Sequence, residues 1–204
     1  MIAGVLFAAL AFFVVGQAGA TRNGGQSAAD AAALAAAQQS RDDFKAAFLK
    51  NLADPDYLER IFDGSFAGPA GDACGAATEF ANANSADVVA CSPLGDGRWG
   101  FSVDVVTQNT VGKSVVPGTE NTRARTHATA VVVPRCGFDA APGASVPASP
   151  PAASSGPQGD GRQPLGQVSP GDLRCPGGDI SVDPGHLDLL PDMSDLFTVR
   201  LADR

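Results

Sequence analysis

The sequence predicts an α+β protein. An N-terminal transmembrane helix continues into an extracytoplasmic helix, followed by a small antiparallel sheet of about three or four strands with packed helices and a disordered insertion. Three observations carry that expectation. Ile2 to Val15 is an apolar run without one polar side chain, and it leads into an alanine-rich stretch. Residues 99 to 106 alternate apolar and polar side chains. Residues 139 to 171 hold seven Pro, six Gly and five Ser in 33 positions, too little apolar surface to offset the entropy of ordering them. The expected divisions are 1–20 transmembrane helix, 21–53 alanine-rich helix, 54–138 small α+β domain, 139–171 insertion and 172–204 a C-terminal segment that returns to the sheet.

Counted on through Ala18, Gly19 and Ala20, the apolar run reaches about nineteen positions, or roughly 28 Å of helix against about 30 Å of hydrocarbon. Nine strongly apolar residues (Ile2, Val5, Leu6, Phe7, Leu10, Phe12, Phe13, Val14 and Val15) contribute about −3 to −5 kcal/mol to insertion, outweighing Gln17 and the glycines. Ala18-Gly19-Ala20 also satisfies the small-x-small rule of signal peptidase, so release of a mature chain at Thr21 stands as the competing reading. Against it, no basic residue precedes the run and the run is long for a signal peptide.

Alanine is the best helix former, so Ala28 to Ala37 prolongs the helix, with Gly24-Gly25 as its weak point. Gly16, Ala20, Gly24, Ala28, Ala32 and Ala36 recur every four residues, a ladder along which another helix could approach closely. In so alanine-rich a segment chance also produces such a ladder. Phe44, Ala47, Phe48 and Leu52 then form an apolar face. Asp54-Pro55 closes that helix and opens a short one carrying Leu58, Ile61 and Phe62. Asp72 is a candidate N-cap for a helix bearing Ala76, Ala77, Phe80 and Ala81.

Val88 to Cys91 reads as a strand, and Pro93 to Gly97 as a turn. In the next strand Trp99, Phe101, Val103 and Val105 point one way. Thr122 to Val133 is another strand, with Ala124, Thr126, Ala128, Ala130 and Val132 inward and Arg123, Arg125, His127 and Thr129 outward. Phe197 to Leu201 is strand-like but too short for a second domain, so it returns to the same sheet.

Function classes narrow by composition. A net charge of −8, from 14 basic and 22 acidic residues, argues against a nucleic-acid partner. Cys74, Cys91, Cys136 and Cys175 form no Cys-x-x-Cys pair, and in an exported chain four such cysteines read as two disulfides. Three pairings are open; proximity favours Cys74 with Cys91 and Cys136 with Cys175. Gly112-Lys113-Ser114 lacks the upstream Gly of a phosphate loop, Thr107 standing in its place, so no nucleotide partner is expected. Two histidines, His127 and His186, are too few for the usual zinc sets. The acidic group Asp179, Asp183, Asp188, Asp192 and Asp195 lacks a calcium-loop pattern and reads as a solvated loop. No catalytic residue, metal or cofactor is nominated, and the expectation is a protein that is not an enzyme.

The apolar segment followed by Arg22-Asn23-Gly24-Gly25-Gln26-Ser27-Ala28-Ala29-Asp30-Ala31-Ala32-Ala33-Leu34-Ala35 resembles the N-terminal segment of the TadE/TadG-like proteins of actinobacteria, associated with assembly of Tad (Flp-type) pili. The similarity is close over residues 1 to about 38. It implies a single-pass cell-membrane protein with its bulk extracytoplasmic and a pilin-like architecture. Its role would be that of a minor pilin-like or assembly component, and its partners the membrane and helices of other pilus or envelope proteins. Gly4-Val5-Leu6-Phe7-Ala8-Ala9 has no Glu at the position a prepilin peptidase substrate carries, and Asp192-Met193-Ser194-Asp195-Leu196 lacks the second Ser of the metal site in longer TadG proteins.

Overall fold

A 49-residue helix, α1 (Ile2–Lys50), begins the chain and runs unbroken through Gly24-Gly25. The computed structural model describes residues 2–110, 121–142 and 169–202, without the side chains of 2, 3, 6–18, 20 and 21. Among the described residues no helix is long and apolar enough to cross a membrane. The apolar run over residues 6–18, on which the spanning expectation rests, has its side chains outside that set.

After α1 come α2 (Pro55–Phe62), α3 (Ala73–Ala83), β1 (Ala86–Pro93), β2 (Gly100–Thr107), β3 (Arg125–Pro134), β4 (Gly137–Ala140), β5 (Gly171–Cys175), β6 (Gly178–Ser181), a 3-10 turn (Leu187–Leu189), α4 (Met193–Leu196) and β7 (Phe197–Leu201). One sheet has four antiparallel strands in the order β1-β2-β3-β7, so the C-terminal strand does return beside β3. A second sheet, β4-β5-β6, has three. Length alone leads to one domain, whereas the chain divides into two compact units: residues 1–43, 67–133 and 199–204, and residues 44–66 and 134–198.

In the first unit α1 lies along β2 and β3. Gly25, Ala28, Ala29, Ala32, Ala33, Ala36, Ala37 and Ser40 are buried at three- and four-residue spacing. Facing them is the period-two side of β2: Phe101, Val103, Val105 and Thr107. At one end Thr126 Oγ1 donates to the Gly25 carbonyl at 2.7 Å. There a Cβ on Gly25 would stand 3.1 Å from Thr107 Cγ2 and 3.3 Å from Thr126 Cγ2, tighter than an ordinary contact, so the close backbone approach favours glycine. At the other end Trp99 Nε1–H donates to Ser40 Oγ at 2.8 Å, and Ser40 donates to the Pro69 carbonyl. Gly68, at φ +68°, passes against the indole where any Cβ would collide.

α3 lies beside β1, tied by Cys74–Cys91, but not as its apolar residues suggest. Ala73, Ala77 and Ala81 form the buried row, while Phe80 is 48% exposed. A row of methyl groups lets the helix sit close, and Phe80 falls off its edge. Asp72 precedes the helix without capping it; its carboxylate lies over Gly75 instead. By contrast Asp54 caps α2 as expected, accepting from the Tyr57 N–H at 3.1 Å, and Leu58, Ile61 and Phe62 are buried.

β3 starts three residues later than the alternation suggests. Ala124 bonds to Thr107 through both its N–H (to Oγ1, 3.0 Å) and its carbonyl (from the Thr107 N–H, 2.9 Å), outside the regular ladder.

The second unit is filled by aromatic side chains. Phe62 and Phe197 stack with centroids 5.4 Å apart, Phe44 and Phe66 lie 4.9 Å apart, and Phe48 meets Phe197 edge-on at 6.4 Å. Its sheet aligns Phe138, Leu173 and Ile180 in one cross-strand row. The stretch expected to be disordered therefore loses its ends: Asp139 and Ala140 pair with Asp172 and Gly171. Residues 143–168, the body of that expectation, lie outside the described residues.

Replacing Ser40 with alanine removes the acceptor of the buried Trp99 indole N–H and the donor to the Pro69 carbonyl. Ser40→Ala is expected to lower unfolding free energy by about 1–3 kcal/mol. Urea titration followed by the fluorescence of Trp99, the single tryptophan, reads the loss.

Candidate interaction surface on the first helix

The structure divides the small-residue ladder. Ala28, Ala32 and Ala36 are fully buried in the chain's own first unit, so their closeness serves its own sheet and they present nothing to a partner helix. This corrects the expectation for the upper half of the ladder. Gly24 is exposed, with nothing within 4 Å of the place a Cβ would occupy. Gly16 and Ala20 have no described side-chain surroundings. Beyond the clamp at Gly25, Arg22, Asn23 and Gly24 are exposed. Before Gly25, the residues of α1 whose surroundings are described, Gly4, Val5, Gly19, Arg22, Asn23 and Gly24, are exposed.

The back of the helix above that point is polar. Ser27, Gln38 and Asp42 are exposed, and Gln26 Nε2 donates to Asp30 Oδ1 (2.7 Å) and to the His127 carbonyl (3.3 Å). Gln39 Nε2 donates to Asp43 Oδ1 at 2.8 Å. Asp43 also accepts from the Asp72 N–H at 3.4 Å.

Two further groupings were absent from the sequence reading. On the outer face of the first sheet, Asp104 Oδ1 lies 3.1 Å from His127 Nδ1, and Thr129 Oγ1 lies 3.3 Å from His127 Nε2. Asp104 and His127 are cross-strand partners, and the side chains are about half exposed. They edge an open depression of about 380 Å³ with Val89 and Arg125. Hydrolytic use of such a carboxylate–imidazole–hydroxyl row needs donors preset for an oxyanion and exclusion of water. On this open, half-exposed strand face the row serves as a cross-strand polar ladder. Only the pairing register brings it together, and no linear motif announces it.

In the second unit His186 Nδ1 lies 2.6 Å from Asp183 Oδ2, while the Gly185 N–H donates to Asp183 Oδ1 at 2.8 Å. Asp183 supplies both the hydrogen bond and the nearby negative charge that raise the His186 pKa above its ordinary value. Among the described residues no group of three or more His, Cys, Asp or Glu is placed to hold a metal ion. Gly112-Lys113-Ser114 lies outside the described residues.

The cysteines pair as Cys74–Cys91 and Cys136–Cys175. The second bond joins the start of β4 to the end of β5 across a separation of 39 residues. Comparison with protein-family models, with curated proteins and with solved structures finds no match.

Removing the longer bond by Cys136→Ser with Cys175→Ser is expected to cost about 4 kcal/mol, against about 3 kcal/mol for the shorter one. Denaturant unfolding of the two double variants checks the order. His186 is expected to titrate above its ordinary value of about 6.5 by NMR, and Asp183→Asn to lower it toward that value. Because its folded pKa is the higher, its contribution to stability is complete below about pH 6.5 and is lost as pH rises through the folded pKa.

Proposed function

We propose that this is a membrane-anchored, non-enzymatic envelope protein, a minor pilin-like or assembly component of a Tad/Flp-type pilus. The observation that carries the reading is the division of labour along one helix. Residues 25–48 of α1 spend their small and aromatic face inside the chain. Residues 2–15 are wholly apolar in sequence and continue the same helix. Such a run requires either a bilayer or partner helices around it.

Several features support the reading. The TadE/TadG-like resemblance covers this same helix up to about residue 38. Two disulfides suit an extracytoplasmic compartment, since reducing compartments seldom preserve them. An antiparallel sheet laid on the second half of a long N-terminal helix suits a pilin-like architecture. The partner surface is taken to be residues 2–24, with Gly16, Ala20 and Gly24 as the points of close approach.

Intact mass of the native protein, measured on the membrane and soluble fractions, tests the anchor. The expected result is a membrane-bound chain that retains residues 1–20 and is about 4 Da lighter than its reduced form, one hydrogen lost per sulfur. A soluble chain beginning at Thr21 would overturn the anchor and make this a secreted disulfide-bonded binding protein released after Ala20. Crosslinking in envelopes tests the role: contacts from residues 2–24 to other pilus proteins are expected, and their absence removes the assembly reading.

A further inference from the structure

Gly24 and Gly25 are adjacent in one helix, yet only one of them is explained by packing. Gly25 is buried and crowded by the Thr107 and Thr126 methyl groups, so its missing Cβ permits the approach of helix to sheet. Gly24 has helical neighbours on both sides and open space where a side chain would be. Alanine would fit there and would favour the helix by the largest margin any ordinary residue offers over glycine.

The position of Gly24 gives its lack of a side chain a use. Among the described residues, the last ties between α1 and the first sheet are the Thr126 hydroxyl on the Gly25 carbonyl and the Gln26 amide on the His127 carbonyl. Gly24 is the first residue beyond them, and Arg22 and Asn23 before it are exposed. A bend placed deeper in the helix would tear buried alanines from the sheet. A bend placed here breaks none of the described tertiary contacts. We infer that Gly24 is a hinge. It lets the N-terminal half of α1 change direction, or open its helical hydrogen bonds locally, while the sheet-bound half stays fixed. The hinge uncouples the apolar half from the folded units, so the apolar half can be held at one angle while the rest of the chain takes another. The inference stands on helix packing alone and does not depend on what the apolar half inserts into.

The test uses the full chain in detergent micelles, with spin labels carried on unnatural amino acids at exposed Gly4 and Gln38 so that the disulfides stay intact. A straight helix separates the two positions by about 51 Å. The native chain is expected to give a broad distance distribution reaching well below that length. Gly24→Ala is expected to narrow it towards about 51 Å and to slow amide exchange over residues 21–27 by about five-fold. A native distribution already narrow near about 51 Å overturns the hinge. So does a Gly24→Ala chain whose breadth and exchange match the native one, which would place the bending elsewhere.

Discussion

The closeness of one helix to one sheet is the constraint on which the first unit depends. From Gly25 to Ser40 the helix rises about 22 Å, and from Trp99 to Thr107 the strand runs about 26 Å, so the two elements match in length and oppose in direction. Both ends are tied by hydrogen bonds from the sheet to the helix, Thr126 to Gly25 and Trp99 to Ser40. Between them every buried residue of the helix is an alanine. Dispersion falls off steeply with distance, so a face of alanines gains its contact energy only if the backbones come together. One bulky residue in that stripe would lift the helix from Val103 and Val105 along its whole length.

The same stripe changes character after Ser40. Phe44 and Phe48 continue it at four-residue spacing, and both are buried in the second unit. There their partners are other rings, Phe62 of α2, Phe66 and Phe197 at the start of β7, which fill a volume that alanine could not. Phe197, Phe62 and Phe66 complete the cluster with the tilted, edge-on and stacked geometries favoured by aromatic rings. The three-stranded sheet contributes little apolar surface of its own, essentially Phe138, Leu173 and Ile180, and Cys136–Cys175 joins its first two strands directly.

This packing bears on function through what it removes from the surface. A ladder of small residues invites a partner helix only where it is exposed, and here the fold consumes it from Ala28 onward. Before Gly25 the residues described in full, among them Gly19, Arg22, Asn23 and Gly24, are exposed.

By itself the sequence determined those features that depend on local chemistry. The Asp54 cap, the face of α2, the alternation of β2 and the identity of the C-terminal strand were all legible, because capping and period-two burial are written in adjacent residues. The preferred cysteine pairs were legible too, since each is the shorter-range choice. Tertiary structure decided what local pattern leaves open. Whether Ala28, Ala32 and Ala36 face a partner or their own sheet depends on a strand more than sixty residues away. Phe80 is exposed because the depth of a neighbouring element admits alanines and not a ring. β4, β5 and β6 carry one large apolar residue each, Phe138, Leu173 and Ile180, and become a sheet only through pairing and a disulfide that span the insertion. The His127 row exists only because one register of β2 on β3 sets Asp104 opposite it. Long-range contacts chose among alternatives that the residues, read in order, leave equal in energy.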